Sequence, residues 1–174
     1  MMLHTQLPDI ALRPLRDTDV PNLAHYADNP RVSDFLRDVF PAPYTEQDAR
    51  NFLDSQPTGG LPRDLAITHS DELIGVMGYI PQMGIYRHSA EFGYWLAEPF
   101  WGRGIATAAA LAFVPWVFER TLVVRLYAHV FANNPASIRV LEKAGFQQEG
   151  IARKGVIKHD QILDEIHFAR IRSI

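Results

Sequence analysis

The 174 residues include no cysteine, which excludes a disulfide framework, a thiolate metal site and a cysteine acyl-enzyme. A formal net charge of -3 gives no general attraction to nucleic acid or anionic lipid, so neither is expected as a partner. A hydrophobic content of 47% is enough to bury the core of one domain, and a single domain over residues 1–174 is expected.

Ile10 to Leu15 alternates as a short first strand, with Pro14 marking an edge or a strand end. Asp17 to Asp19 turns into a helix over about Val20 to Ala27, which Asn29-Pro30 ends because a residue before proline is pushed out of the helical region. Arg31 to Tyr44 reads as an irregular stretch able to line or cover a cleft. Thr45 with Asp48 then caps a second short helix through Phe52 and Leu53. After the Gln56 to Gly60 loop, Asp64 to Thr68 and Leu73 to Ile80 form a hairpin, and Ser89 to Leu96 a further strand.

A turn at Glu98-Pro99-Phe100 leads through a glycine-rich segment into an apolar helix, in which Pro115 predicts a kink or an end near Val114. Its apolar run, Ile105 to Phe118, falls short of the roughly 20 residues that a bilayer crossing needs. No membrane partner and no signal peptide are expected, and a cytoplasmic location follows as the expectation. Val123 to Phe131 is a strand, Pro135 to Ala144 a helix closed by Gly145, and Phe146 to Ala152 and Ile162 to Ile171 are the last strands. Hairpins followed by alternating strands and helices predict an α/β (α+β) fold, a mixed sheet with helices packed against it.

Trp101-Gly102-Arg103-Gly104-Ile105-Ala106 is the most informative segment. Its two glycines permit backbone angles and a close approach that a side chain forbids, and the helix start behind them supplies N–H groups and a favourable field for a phosphate. Arg103 adds a charge, and Ala106 keeps the first turn small. Two glycines before a helix also occur in ordinary turns, so the local pattern leaves both readings open. Thr107 stands where the dinucleotide fingerprint G-x-G-x-x-G needs its third glycine, and the P-loop pattern is absent, which disfavours nicotinamide and nucleoside-triphosphate enzymes.

The chain resembles the GNAT superfamily of N-acetyltransferases, in the branch typified by the ribosomal-protein N-terminal acetyltransferases. Trp101, Gly104 and Ala106 occupy the defined positions of that family's pyrophosphate motif, with tryptophan replacing the usual glutamine or arginine. Asn134 to Phe146 matches its N-x-x-S-x-x-x-L-E-K-x-G-F block. Weaker agreement lies in Leu12-Arg13-Pro14-Leu15, Leu73-Ile74-Gly75 and Glu91 to Leu96.

The resemblance implies a mostly antiparallel central sheet, flanked by helices and opened by a splayed strand pair that admits acetyl-coenzyme A. Backbone groups of Tyr94, Trp95 and Leu96 would bond its pantetheine arm, Trp101 through Thr107 would hold its pyrophosphate, and Asn134 and Ser137 would contact it further along. The side chains of Tyr94 and Trp95 are expected to pack within the strand.

Acetyl transfer needs a neutral amine, an aligned thioester, a stabilised oxyanion and a proton for the departing thiolate. Direct attack in a ternary complex fits the missing cysteine, while composition leaves a serine acyl-enzyme open as the covalent alternative. Glu91 is the candidate base, directly or through water, with an exposed strand glutamate as the competing reading. Ser137 is the candidate acid or coenzyme contact, with local capping as the competing role. Many relatives place a tyrosine acid where this chain has Leu141. The seven histidines show no compact ligand pattern, so no metal is expected, and His129 and His167 read as strand residues.

Branch resemblance favours a protein or peptide N-terminus as acceptor. A small-molecule amine and a non-catalytic acetyl-coenzyme A sensor are the alternatives. A homodimer through the terminal strands or an exposed helix stays open.

Overall fold

The computed structural model describes residues 1–173. Its strands are β1 (Leu3–His4), β2 (Ile10–Pro14), β3 (Asp64–His69), β4 (Glu72–Pro81), β5 (Ser89–Leu96), β6 (Arg125–Phe131), β7 (Gln147–Lys158) and β8 (Gln161–Ile171). The helices are α1 (Val20–Ala27), α2 (Pro30–Ser33), α3 (Glu46–Asp54), α4 (Ile105–Arg120) and α5 (Pro135–Lys143). The eight strands form a mixed, mostly antiparallel sheet in the order β1-β2-β3-β4-β5-β6-β8-β7, in which β5 and β6 run parallel. This is the mixed sheet with helices that the pattern of elements predicts. Among the described residues no helix is long and apolar enough to cross a membrane. Two compact units share the chain: Met1–Gly78 with Tyr94–Phe113, and Tyr79–Gly93 with the chain from Val114 onward.

In the first unit, β2, β3 and β4 pair antiparallel, and the β3–β4 hairpin turns on Ser70 and Asp71. Both have positive φ (49° and 71°), as a two-residue turn matched to strand twist requires. The Asp71 carboxylate accepts from Arg13 Nε at 2.7 Å and Arg16 Nη1 at 2.8 Å. Arg16 first, then Arg13, hold its pKa below the usual carboxylate range. Arg13, only 2% exposed, also grips the buried Asp19 through two 2.8 Å bonds, which raise the guanidinium above its ordinary value.

Leu23 and Ala27 of α1 and Ala49 of α3 pack with Tyr44, Ala66, Leu73 and Val76. Full burial of a side chain such as Leu23 contributes about 1.5–3 kcal/mol. The expected capping box forms, since Thr45 Oγ1 accepts from the Asp48 N–H and the Asp48 carboxylate accepts from the Thr45 N–H. Asp64, which accepts from Gln56 Nε2 at 3.0 Å, is pushed above the carboxylate range by burial. The stretch from Arg31 is not wholly irregular. Pro30 opens α2 as well as following α1, because its fixed φ suits the first helical position and Asn29 Oδ1 caps the Arg31 N–H.

In the second unit, β6 lies between β5 and β8, and its Leu126, Ala128 and Val130 are buried while the alternate residues face away. Helix α5 ends in a Schellman cap: Phe146 N–H bonds the Leu141 carbonyl, Gly145 N–H bonds that of Glu142, and Gly145 takes φ 84°. The final hairpin is longer than expected, with β7 running to Lys158. The strand continues past Ala152, where it is expected to end, because Arg153-Lys154-Gly155 is absorbed by a register shift between Ala152 and Val156. His159 and Asp160, both at positive φ, make the turn.

Pro115 neither ends nor interrupts α4, which continues to Arg120. It lies on the helix's wet stripe with Leu111 and Glu119, four residues to either side, both of them exposed. Water therefore reaches the side where the Leu111 carbonyl loses its helical donor, and the buried Phe113, Val114 and Val117 hold the helix together.

Candidate active site

In the first unit, the chain leaves β5 at Leu96, passes Glu98–Phe100 and makes the glycine turn into α4. Gly102 and Gly104 take φ 75° and 74°, the left-handed region that glycine occupies without penalty. A Cβ at either position would meet no protein atom within 4 Å. The requirement for glycine within the protein is thus conformational, and the space a side chain would take at either position is open. Helix α4 begins with the Ala108 N–H on the Gly104 carbonyl, so the N–H groups of Ile105, Ala106 and Thr107 have no donor role inside the helix. Such a terminus attracts an anion.

Side chains fix the turn from both ends. Trp101 Nε1 donates to the Leu96 carbonyl at 2.6 Å, tying the turn to the end of β5. Arg31 stands 5.7 Å from the Trp101 ring centroid and pairs with Glu98, which also accepts from Asn29 Nδ2 at 2.8 Å. Arg103 lies 5.6 Å over the Phe100 ring. Two guanidinium groups therefore stand on the residues that frame the turn. Arg103 is legible from the motif, whereas Arg31 comes from a segment with no phosphate signature.

Gly75 on β4 explains the weak Leu73-Ile74-Gly75 agreement, because a Cβ there would run into the Trp95 carbonyl oxygen. Its absence lets β4 approach Trp95 and Leu96 closely. The Trp95 side chain packs against the first unit's core and edge-on to Phe40 at 6.3 Å, as the expectation of a strand-packing aromatic has it. Tyr94 is half-buried on the same strand.

The second unit holds the two catalytic candidates. Glu91 is half-buried between the buried Ala90 and Phe92 and so points to the opposite face. It pairs in register with Tyr127 of β6, the last rung of a parallel ladder that starts at Ser89 and Arg125. Asn134 caps α5, its Oδ1 accepting from the Ser137 N–H at 3.1 Å. Capping is thus supplied by the asparagine side chain together with the serine backbone, and Ser137 itself is half-buried. Leu141 is fully buried in the core. His129 and His167 are strand residues as expected, but the β6–β8 register sets them opposite each other, beside Glu165.

The family model described as an acetyltransferase (GNAT) domain matches residues 9–147. YjcK of Bacillus subtilis is 41% identical over 86 residues, covering 49% of this chain and 48% of YjcK, so that match spans about half of each protein. The protein p20 of Bacillus licheniformis, named an uncharacterized N-acetyltransferase, is 27% identical over 176 residues, covering 98% and 96% of the two chains. Among solved structures, RimL, a ribosomal L7/L12 α-N-protein acetyltransferase in complex with coenzyme A, aligns with a TM-score of 0.83 at 20% identity over 98% of each chain. The glycine turn at the start of α4, the capped α5 and the mixed sheet agree with that match, and the chain belongs to the GNAT family of acetyl-coenzyme A-dependent acyltransferases.

Proposed function

We propose that this protein transfers an acetyl group from acetyl-coenzyme A to a primary amine, with a protein or peptide N-terminal α-amine as the acceptor. The observation that carries the coenzyme half is the left-handed double-glycine turn, open where a side chain would stand and framed by Arg31 and Arg103, at the start of a sixteen-residue helix. Likeness to RimL supports the choice of acceptor.

The amine nitrogen attacks the thioester carbon directly, the C–N bond forms, the C–S bond breaks, and the thiolate leaves with a proton. Glu91 removes the amine's proton, directly or through water, and Ser137 or water supplies the thiolate's. Leu141, being apolar and fully buried, has no part in proton transfer. An α-amine with a pKa near 8 is partly neutral at physiological pH, which limits the work asked of the base. Backbone groups of Tyr94, Trp95 and Leu96 bond the pantetheine arm, Trp101 to Thr107 hold the pyrophosphate, and Asn134 contributes to coenzyme binding.

The test is a mass-resolved acceptor screen with acetyl-coenzyme A and a panel of N-terminal peptides, polyamines and aminoglycosides. A 42-dalton gain, about the mass of an added acetyl group, on peptides alone is the expected outcome. Gain on small amines only refutes the acceptor assignment. Coenzyme binding without transfer to any amine favours a sensor.

A further inference from the structure

The antiparallel ladder between β6 and β8 pairs His129 directly with His167. Side chains so placed lie next to each other on one face, and the two imidazole rings stack with centroids 4.2 Å apart and planes 24° from parallel. Glu165, two residues before His167, shares that face. Its Oε2 lies 3.1 Å from His167 Nε2 and 3.7 Å from His129 Nδ1. One ligand atom from each of the three residues lies within 4.8 Å of the other two. The side chains of His129 and His167 are 30% and 38% exposed, so an ion reaches the cluster from solvent.

We propose that His129, Glu165 and His167 bind a divalent transition-metal ion, with water completing its coordination. Two imidazole nitrogens and one carboxylate oxygen gathered on one face of the sheet form a donor set that a single ion can share. A proton serves one imidazole–carboxylate contact at a time, whereas a divalent ion is shared by all three ligands. The two-nitrogen, one-oxygen donor set suits zinc, cobalt, nickel or copper, and not calcium or magnesium, which take oxygen ligands.

Bonds of about 2.0–2.2 Å place the ligand atoms of a tetrahedral zinc ion roughly 3.3 Å apart. The widest separation here therefore has to close by about 1.5 Å, within reach of side-chain rotation while both strands stay in place. Tyr127, its ring 5.4 Å from that of His129, flanks the cluster. Glu165 and His167 follow His129 by 36 and 38 residues and lie on another strand, so the three together leave no compact signature in the chain.

The inference rests on the β6–β8 ladder alone and stands apart from the acetyl-transfer reading. The experiment is titration of zinc(II) into tag-free protein by calorimetry, with cobalt(II) followed by its visible d–d absorption and magnesium as the negative control. One ion per chain is expected for zinc and cobalt, with no magnesium response. His129→Ala and His167→Ala should each weaken binding by at least about tenfold, the lower bound set by losses seen when mere supporting groups are removed. Circular dichroism verifies folding, and should His167→Ala not fold, the more conservative His129→Asn decides. No saturable binding by the wild type, or equal binding by the wild type and the folded histidine variants, overturns the proposal.

Discussion

Gly104→Ala tests the backbone requirement of the glycine turn. Gly104 sits at φ 74°, and a Cβ there touches no protein atom within 4 Å, so the methyl group causes no clash within the free protein. What remains is the cost of holding an L-residue in the left-handed region, roughly 1–2 kcal/mol. If the turn keeps its shape, that cost is lost stability, a fall in Tm of roughly 2–8 °C for a chain of this size. If the turn relaxes, the cost returns on ligand binding as a rise of about 5- to 30-fold in the Kd of coenzyme A. The two losses, measured on one preparation by scanning calorimetry and by titration with coenzyme A, should together account for at least roughly 1–2 kcal/mol, with any excess in the Kd coming from the methyl group where the coenzyme approaches. Gly104→Asn should recover part of it, since asparagine tolerates the left-handed region better than alanine. A Gly104→Ala protein as stable as the wild type and as tight for coenzyme A would refute both the turn's strain and its assignment to the pyrophosphate.

Glu91→Gln should lower turnover of a bound amine and change its pH profile, with the KM for acetyl-coenzyme A little altered; unchanged steady-state kinetics across pH would remove Glu91 from the chemistry. Asp19→Ala leaves the buried Arg13 guanidinium with only Asp71 as a carboxylate partner and should cost roughly 3–5 kcal/mol in urea denaturation, nearer the lower figure because of that partner. Asp71, held low by Arg16 and Arg13, stabilises the fold above the ordinary carboxylate pKa of about 3.9, and this contribution is lost as the pH falls through its depressed folded value. Asp71→Asn should therefore make the acid loss of stability shallower. Asp64 acts in the opposite sense, since burial raises it: its contribution is complete below about 3.9 and lost as the pH rises through the raised folded value. The urea midpoint of Asp64→Asn relative to the wild type should thus increase from acid to neutral pH, and a constant difference would contradict the assignment.

Local signals made much of this fold legible. The Thr45–Asp48 box, the Asn134-Pro135 helix start, the Gly145 stop and the double-glycine turn each depend on residues within a few positions of one another, and all four appear as expected. Pro115 misleads because the pattern along the chain does not say which side of a helix solvent will reach. The expected end of the strand at Ala152 falls short because a bulge lets a strand survive an interruption that would end an isolated one. Arg31 beside Trp101, and His129 opposite His167, are products of tertiary placement and strand register. Neither spacing nor composition encodes them.

The two offsets in β7 bear on how the molecule tolerates its own company. This twelve-residue strand lies at the margin of the sheet, and Ile151 and Ile157 are more than half exposed. A straight strand of that length would offer a continuous row of amides as a template for fibril growth. Breaks in register after Gln148 and Ala152 cut the row into short runs. Lys154 turns to φ 53° and spends its N–H on Asp164 Oδ1 at 2.8 Å. With a charged side chain at its centre, the irregularity shortens the run of amides that another strand could pair with along this margin.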